Sequence, residues 1–478
     1  MEKKKFDAIV VGAGPGGYPC AIRLAQLGKK VAIIEKENVG GVCLNVGCIP
    51  SKAMIKAASQ FEKMQKADAM GFKVKGVDVD FKNLQEWKRS VVNKLTGGVG
   101  QLLKGNKVEL FQGDASFVSK NELSVKSAKG TEALTADHIV IAVGSSPIEI
   151  PGFKFDEKKI VSSTGALDFD KPIESMVVVG GGYIGLEIGT YMAKFGTQVT
   201  VLEAMPRLLS SYDQDVANIV GRSLKKRNVN VITGATAKGV KEKGAQLVVD
   251  VEVDGKIQSI PCEKVLVTVG RKPNPMPGLE KTGVQVDAKG FIKVNEQLKT
   301  NVPGIYAIGD VAGQPMLAHK ATKEALVVAD VIAGKKTKYD VKAMPAVIFC
   351  EPEVATVGLS ETEAKAKGIT TFVGSFPYAA LGKAIASNDT DGFAKLIGDR
   401  KTGRLIGAAI VGPEASTSIA EMALAIEAGL QVADVALTVH AHPTMGEATM
   451  EAAEVALGHA IHVINRVAPV PGDRPQAH

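Results

Sequence analysis

The sequence predicts an α/β chain in which one strand–turn–helix–strand unit occurs twice, followed by an α+β C-terminal portion. Three observations carry this. An apolar run, residues 6–11, leads into a Gly-rich turn and then a helical stretch. The same order returns about 168 residues later, from Met176. From about residue 345 the character changes to short strands, suggesting an antiparallel sheet, with three helices. Apolar runs of four to eight residues closed by glycines read as buried parallel strands, whereas alternation reads as half-buried antiparallel ones.

In order, residues 6–11 (Phe-Asp-Ala-Ile-Val-Val) read as a parallel strand, Tyr18–Leu27 as helix and Lys30–Glu35 as a second strand, a βαβ unit. Residues 52–66 and 81–104 read as amphipathic helices, and 107–143 as short strands ending in Ile139–Val143 and Gly144. The second unit has strands Met176–Val179 and Gln198–Glu203 around the helix Tyr183–Phe195. A third glycine-bearing strand end lies at Ile305–Asp310, with a helix Lys320–Ala333 after it. The last portion predicts strands at 345–350, 354–357, 371–376, 393–398 and 405–412, helices at 361–367, 416–428 and 447–459, and a loose tail at 467–478.

Bulk properties narrow the function classes. At 478 residues the chain is too long for one core and fits about three or four domains. Its 58 Lys and Arg against 51 Asp and Glu give a net charge of +7, with no long basic block after Lys3–Lys5. A solvated surface explains that better than nucleic-acid binding. The sequence shows no apolar run of 18 residues and no signal peptide, since Gly12, Gly14 and Pro15 cut the first apolar stretch. The expected location is the cytoplasm, or an organelle matrix after loss of a presequence. Disulfides are rare structural devices there, so paired cysteines point to catalysis.

Gly12-Ala-Gly14-Pro-Gly16-Gly17 fits G-x-G-x-x-G between a strand and a helix, and Glu35 closes the next strand 18 residues after Gly17. Glycines there permit the tight turn and the approach of a pyrophosphate to the helix N-terminus, while the acid accepts from ribose hydroxyls. Gly180-Gly181-Gly182-Tyr183-Ile184-Gly185 repeats the fingerprint, with Glu203 as its acid. An acid favours an unphosphorylated ribose, hence NAD over NADP, although Arg207 lies four residues on. Two Rossmann-like dinucleotide sites in one chain suggest a flavin and a nicotinamide exchanging electrons.

Four residues separate Cys43 from Cys48 in Cys-Leu-Asn-Val-Gly-Cys-Ile-Pro-Ser-Lys. Zinc would need a second ligand pair, and none stands at suitable spacing, so no metal site is expected. Pro50 and Ser51 suggest a helix starting just after Cys48; a thiol at a helix N-terminus ionises readily, and Lys52 adds positive charge. Cys20, Cys262 and Cys350 are isolated and read as structural. A second chemical cluster is His440-Ala-His442-Pro-Thr-Met-Gly-Glu447, in which Glu447 is close enough to orient the His442 ring. On the residues alone, a surface turn is an equal reading of that cluster.

The Cys43–Lys52 segment resembles the active-site motif of the class I pyridine nucleotide–disulfide oxidoreductases, and within them is most similar to the dihydrolipoamide dehydrogenases. The resemblance runs to about residue 466; Val42 departs from it, standing where the family usually has Thr. It implies an FAD-binding domain at 1–147, an NAD-binding domain at 148–270, a central segment at 271–345 completing the FAD domain, and a dimerisation domain at 346–478. It implies that Asp310, Met316, Leu317, Ala318, His319, Ala115 and Gly144 contact FAD and that Gly270 lies beside NAD. Lys52 and Glu187 match a pair beside the flavin ring. Cys43 and Cys48 match the redox disulfide, His442 the base, Glu447 the acid that orients it, and His440 a residue behind them. In the family that base reaches the disulfide of the other subunit, so a homodimer is implied.

The implied reaction is oxidation of dihydrolipoamide by FAD and NAD. The implied partners are the lipoyl-bearing acyltransferase core of 2-oxo acid dehydrogenase complexes and the lipoyl protein of the glycine cleavage system. No lipoyl domain precedes Phe6, so the dithiol arm is expected from another protein. Neither a nucleic acid nor a membrane is an expected partner. The rival within the family is a related FAD disulfide reductase with another disulfide substrate. A glutathione-type enzyme would show basic residues where Glu203 stands, and mercuric and large thioredoxin reductases an extra cysteine pair near the C-terminus. A flavin-binding module without turnover is the rival outside enzymes, but binding FAD would not need Cys43, Cys48, His442 and Glu447 together.

Overall fold

The computed structural model describes residues 3–244 and 246–466, so the proline-bearing tail at 467–478 lies outside the described residues. The chain forms two compact units, one from Met1–Pro172 with Val267–Asp340, the other from Ile173–Leu266 with Val341–His478.

The first unit begins with β1 (Lys3–Val11), α1 (Gly17–Gln26) and β2 (Val31–Glu35), then α2 (Gly41–Asn45), α3 (Cys48–Gln65) and α4 (Phe81–Gly105). Strands β3 (Glu109–Gln112), β4 (Asp114–Ser119), β5 (Glu122–Ser127), β6 (Gly130–Ile141) and β7 (Ser145–Pro147) follow. The main sheet has the order β3-β2-β1-β6-β5-β4, and the strand Ile305–Ala307 also pairs with β6. β6 pairs with β1 along almost its whole length. On its other edge its first half meets β5 antiparallel, and its second half meets Ile305–Ala307 parallel. The parallel strands are buried on both faces: Ala8, Ile9, Val10, Ile33, Val140 and Ile141 have no accessible surface. Helix α1 buries Cys20, Ala21 and Leu24 against this sheet, and the helix Ala318–Ile332 shares the same core. Asp80 caps α4 by accepting the Asn83 N–H at 3.0 Å.

The second unit contains a sheet in which Gln198–Glu203 lies parallel between Ser175–Val179 and Asn230–Thr233. Beside it in sequence is an antiparallel meander, Ala235–Lys243, Gln246–Val253 and Lys256–Cys262. The remainder is a five-stranded antiparallel sheet in the order 346–348, 354–358, 405–411, 393–399, 371–377. Helices Ala415–Ala428 and Glu447–Leu457 share its core, with Met422, Ala448, Ala452 and Ala456 fully buried. The charged residue Lys395 is also inside, 2% exposed, held by Asp213 at 3.1 Å, Asp215 at 2.8 Å and Glu361 at 2.7 Å.

Candidate active site

In the first unit the residues singled out by the sequence gather at the carboxyl edge of neighbouring strands, where open α/β sheets bind ligands. Gly12 follows β1, Glu35 ends β2, Gly144 follows β6 and Asp310 follows Ile305–Ala307. Gly12 has φ +99°, and a Cβ there would stand 2.4 Å from the Ala142 carbonyl oxygen. A Cβ on Gly17 would meet the Gly12 oxygen at 1.8 Å. Gly14 is different: a Cβ there would meet only the Gly41 Cα, at 3.9 Å. Glu35 is buried; its Oε2 accepts the Ala13 N–H at 2.7 Å and Oε1 the Glu37 N–H at 2.8 Å. The carboxylate thus holds the glycine turn and keeps lone pairs for ribose hydroxyls. These features fit an adenine dinucleotide.

The cysteine segment docks on that turn. The Gly40 N–H donates to the Ala13 carbonyl at 2.8 Å, and a Cβ on Gly41 would lie 2.7 Å from the Gly14 Cα. Cys43 sits in α2, a short helix that the sequence reading does not contain. Asn45 steadies it by donating to the Val39 and Gly41 carbonyls at 3.0 and 2.9 Å. Cys48 is the first residue of α3, and Ser51 donates back to its carbonyl at 3.0 Å. Cys43 is half-buried and Cys48 exposed. A hydrogen bond to Cys48 and burial hold the Cys43 thiol well above its ordinary value, against the pull of Lys52 one turn along α3. The other three thiols are buried, which pushes Cys262 up to about 11 and Cys20 and Cys350 further.

Asp310 sits in the one-turn helix Gly309–Ala312 and accepts the Ser145 hydroxyl at 2.5 Å. Arg271 in turn donates to that hydroxyl at 2.8 Å and to the Ser145 carbonyl at 2.5 Å. The buried pair Lys320–Glu324, 2.9 Å apart, grips the turn before Asp310: Glu324 accepts the Gly309 N–H at 2.7 Å and Lys320 donates to the Gly309 and Gly313 carbonyls. Met316 and Leu317 lead into the helix Ala318–Ile332, whose second residue is His319. Ala115 lies half-buried on β4, paired with Val125. Gly144 and Gly270 have φ +72° and +132°, and the Gly270 carbonyl accepts the Ile148 N–H.

The second unit repeats the acid-and-glycine arrangement. Glu203 Oε2 accepts the Gly181 N–H at 2.7 Å and Oε1 the Met205 N–H at 2.7 Å. Gly180 has φ +110°, Gly182 precedes the helix Tyr183–Lys194 with open space at its Cβ position, and Gly185 is buried within that helix. Glu187, on the same helix, is 5% exposed and accepts the Phe349 N–H at 2.9 Å. Arg207 is committed to its own loop, donating to the Tyr212 carbonyl at 2.6 Å and the Ser210 carbonyl at 2.8 Å.

His442 and Glu447 meet. The ring Nδ1 lies 2.8 Å from Glu447 Oε1, while Oε2 accepts the Thr444 N–H at 2.7 Å. Glu447 opens the helix Glu447–Leu457, where the helix dipole favours an anion. Burial opposes its ionisation, but the Thr444 and His442 hydrogen bonds outweigh that and hold the carboxyl below its usual value. With Nδ1 taken, Nε2 is the nitrogen left to exchange a proton, and the His442 side chain is 77% exposed. The sequence reading missed Ser145, Arg271, Lys320, Glu324, Glu421 and Thr449; Lys320 and Glu324 carried a signal, as an oppositely charged i, i+4 pair on one helix.

A glycine cradle closed by an acid, twice over, with a cysteine pair docked on one cradle and a histidine–carboxylate couple, defines a flavin- and nicotinamide-linked disulfide oxidoreductase. Residues 6–325 match the pyridine nucleotide-disulphide oxidoreductase family and residues 344–453 match its dimerisation domain; the chain belongs to this family. It is 52% identical over 461 residues to dihydrolipoyl dehydrogenase of Geobacillus stearothermophilus, covering 96% of this chain and 98% of that one. It is 44% identical to dihydrolipoyl dehydrogenase of Haloferax volcanii, again covering 96% and 98%. Among solved structures, LpdA of Mycobacterium tuberculosis superposes with a TM-score of 0.88 at 25% identity, over 94% of this chain and 99% of that one. The HOCl-induced flavoprotein disulfide reductase RclA of Escherichia coli gives a TM-score of 0.84 at 28% identity, over 94% and 99%. Among the described residues no helix is long and apolar enough to cross a membrane, and no group of three or more His, Cys, Asp or Glu is placed to hold a metal ion.

Proposed function

We propose that the chain oxidises dihydrolipoamide to lipoamide through Cys43 and Cys48, with FAD as resident cofactor and NAD⁺ as acceptor, working as a homodimer. The observation that carries this reading is the docking of the cysteine segment on the first dinucleotide turn, with Gly41 packed on Gly14. The high identity to dihydrolipoyl dehydrogenases over nearly full length selects the dithiol substrate among the family's possibilities. The dimerisation-domain match supports the dimer.

His442 Nε2 takes a proton from one substrate thiol, and Glu447 stabilises the imidazolium that forms. The substrate thiolate attacks Cys43 Sγ; the Cys43–Cys48 bond breaks and Cys48 leaves as a thiolate at the N-terminus of α3, where the helix dipole favours it. The second substrate thiol then attacks the substrate sulfur bound to Cys43, closing lipoamide; the bond to Cys43 breaks, and Cys43 leaves as a thiolate that takes up the proton the attacking thiol gives up. When bound, FAD would supply the two-electron acceptor for the reduced cysteine pair, and NAD⁺ the final hydride acceptor. Gly12, Gly14, Gly17, Glu35, Ala115, Gly144, Asp310 and residues 316–319 would hold FAD, with Lys52 and Glu187 as the pair beside its ring. Gly180, Gly182, Gly185, Glu203 and Gly270 would hold NAD. The lipoyl arm would come from the acyltransferase core of a 2-oxo acid dehydrogenase complex, or from the lipoyl protein of the glycine cleavage system, in the cytoplasm.

Alkylation mapping tests the thiol step. The oxidised enzyme should take no label at Cys43 or Cys48, and anaerobic dihydrolipoamide should expose both. Labelling that does not change while dihydrolipoamide is consumed would remove these cysteines from the reaction.

A further inference from the structure

A second histidine–carboxylate couple lies behind the first. His440 is turned inward, its side chain 10% exposed against 77% for His442. Its Nδ1 lies 2.8 Å from the Thr438 carbonyl and its Nε2 3.0 Å from Glu421 Oε1, on the helix Ala415–Ala428. A carbonyl only accepts, so Nδ1 carries a hydrogen, and a single proton is then shared between Nε2 and the carboxylate. The other oxygen, Glu421 Oε2, is 3.1 Å from the hydroxyl of Thr449, a residue with no exposed surface on the helix Glu447–Leu457. That hydroxyl also lies 2.7 Å from the Gly446 carbonyl.

Glu421 therefore meets the segment on both sides of His442: at His440 two residues before it, and at Thr449 after it, whose hydroxyl also reaches the Gly446 carbonyl. Between these anchors the turn is closed by Thr444, whose hydroxyl donates to the Ala441 carbonyl at 2.8 Å. The Glu447 carboxylate orients the His442 ring about its own bonds. Its other oxygen accepts the Thr444 N–H, but both ends of that contact lie on one segment, so it does not tie the turn to the neighbouring helix Ala415–Ala428 as Glu421 does.

We propose that Glu421, acting through His440 and Thr449, is a positioning residue for His442, fixing the backbone from which Nε2 meets the substrate thiol. The inference rests on the reading of His442 as the base. An error of about 1 Å in such placement can cost on the order of 100-fold in rate.

The test compares Glu421→Ala, Glu421→Gln and His442→Gln as purified, flavin-loaded enzyme, in two reactions. One is oxidation of dihydrolipoamide by NAD⁺. The other is reduction of ferricyanide by NADH, which draws electrons from the flavin and bypasses His442. Gln can donate one N–H to His440 Nε2 and accept from Thr449 on its oxygen, so it keeps both anchors. The expected result for Glu421→Ala is a loss of about 30-fold in kcat for dihydrolipoamide, with KM for NAD⁺ and the ferricyanide rate within about twofold of the parent. Glu421→Gln should recover to within about threefold of the parent. Three results would overturn the inference while leaving the base in place: normal dihydrolipoamide turnover in Glu421→Ala beside a slow His442→Gln, both reactions and the melting temperature falling together, or Gln no better than Ala. A normal rate in His442→Gln would overturn the base itself, and this inference with it.

Discussion

Replacing Glu203 by Gln tests what sets the choice of nicotinamide cofactor. Both oxygens of Glu203 accept backbone N–H groups at 2.7 Å, which pins the carboxylate at the end of its strand where the ribose would lie. A 2′-phosphate there adds one to two negative charges. At about 5 Å and an effective dielectric near 20, each unit of repulsion is roughly 3 kcal/mol, and partial exposure of Glu203 discounts it to about 2 kcal/mol. At about 1.4 kcal/mol per decade this is roughly a 30-fold preference for NAD⁺. The amide removes the charge. Its NH₂ group then faces one of the two N–H donors, so that donor loses its acceptor, costing about 1–3 kcal/mol in stability or in NAD⁺ binding. Arg207 cannot swing in to help the phosphate, because the Tyr212 and Ser210 carbonyls hold its guanidinium. The assay is kcat/KM for NAD⁺ and NADP⁺ with saturating dihydrolipoamide. The ratio should fall about 30-fold, chiefly through a gain with NADP⁺. An unchanged ratio would refute the assignment of selectivity to Glu203.

Other perturbations have equally definite outcomes. Gly12→Ala places a Cβ 2.4 Å from a backbone oxygen at φ +99°, so the purified protein should carry far less flavin per chain; a full complement would show the turn is not the FAD site. Lys395→Met leaves three carboxylates without their buried cation and should lower unfolding stability by about 3–5 kcal/mol in urea titration, whereas a loss below about 1 kcal/mol would mean the pairing is replaceable. Glu447 has its carboxyl held below the ordinary 4.5, so its stabilising effect is complete above that pH and is lost as pH falls through the folded value. The melting-temperature gap between the parent and Glu447→Gln should therefore be flat from neutral pH down to about 5 and shrink below about 4.5; a gap that widens on acidification would contradict this sign.

Much of this fold is legible in the sequence. The strand at 6–11 and the turn after it were readable because both faces of a parallel strand are buried and because only glycine fits at Gly12 and Gly17. The second unit repeated that signal. Boundaries were less legible: the helix expected from residue 52 begins at Cys48, since Gly47 can precede it and Pro50 is tolerated in a first turn. The helix Gly41–Asn45 left no periodic signal in five residues; it exists because Asn45 ties it and Gly41 packs on Gly14. The antiparallel meander at 235–262 went unread, its outward positions being Lys- and Glu-rich. At the site, the residues that touch chemistry were legible from local motifs. Their supports were not, because Glu421 meets His440 from 19 positions away and Arg271 meets Ser145 from 126, distances that only tertiary folding closes.

The most direct test of the central claim is steady-state turnover of the purified flavoprotein with dihydrolipoamide, offering NAD⁺ and NADP⁺ in parallel. The account predicts rapid NADH formation with NAD⁺, abolished by Cys43→Ser, and little reaction with NADP⁺. No turnover with either acceptor, together with NADPH-driven reduction of another disulfide, would contradict it and leave a sister reductase built on the same fold and cysteine pair.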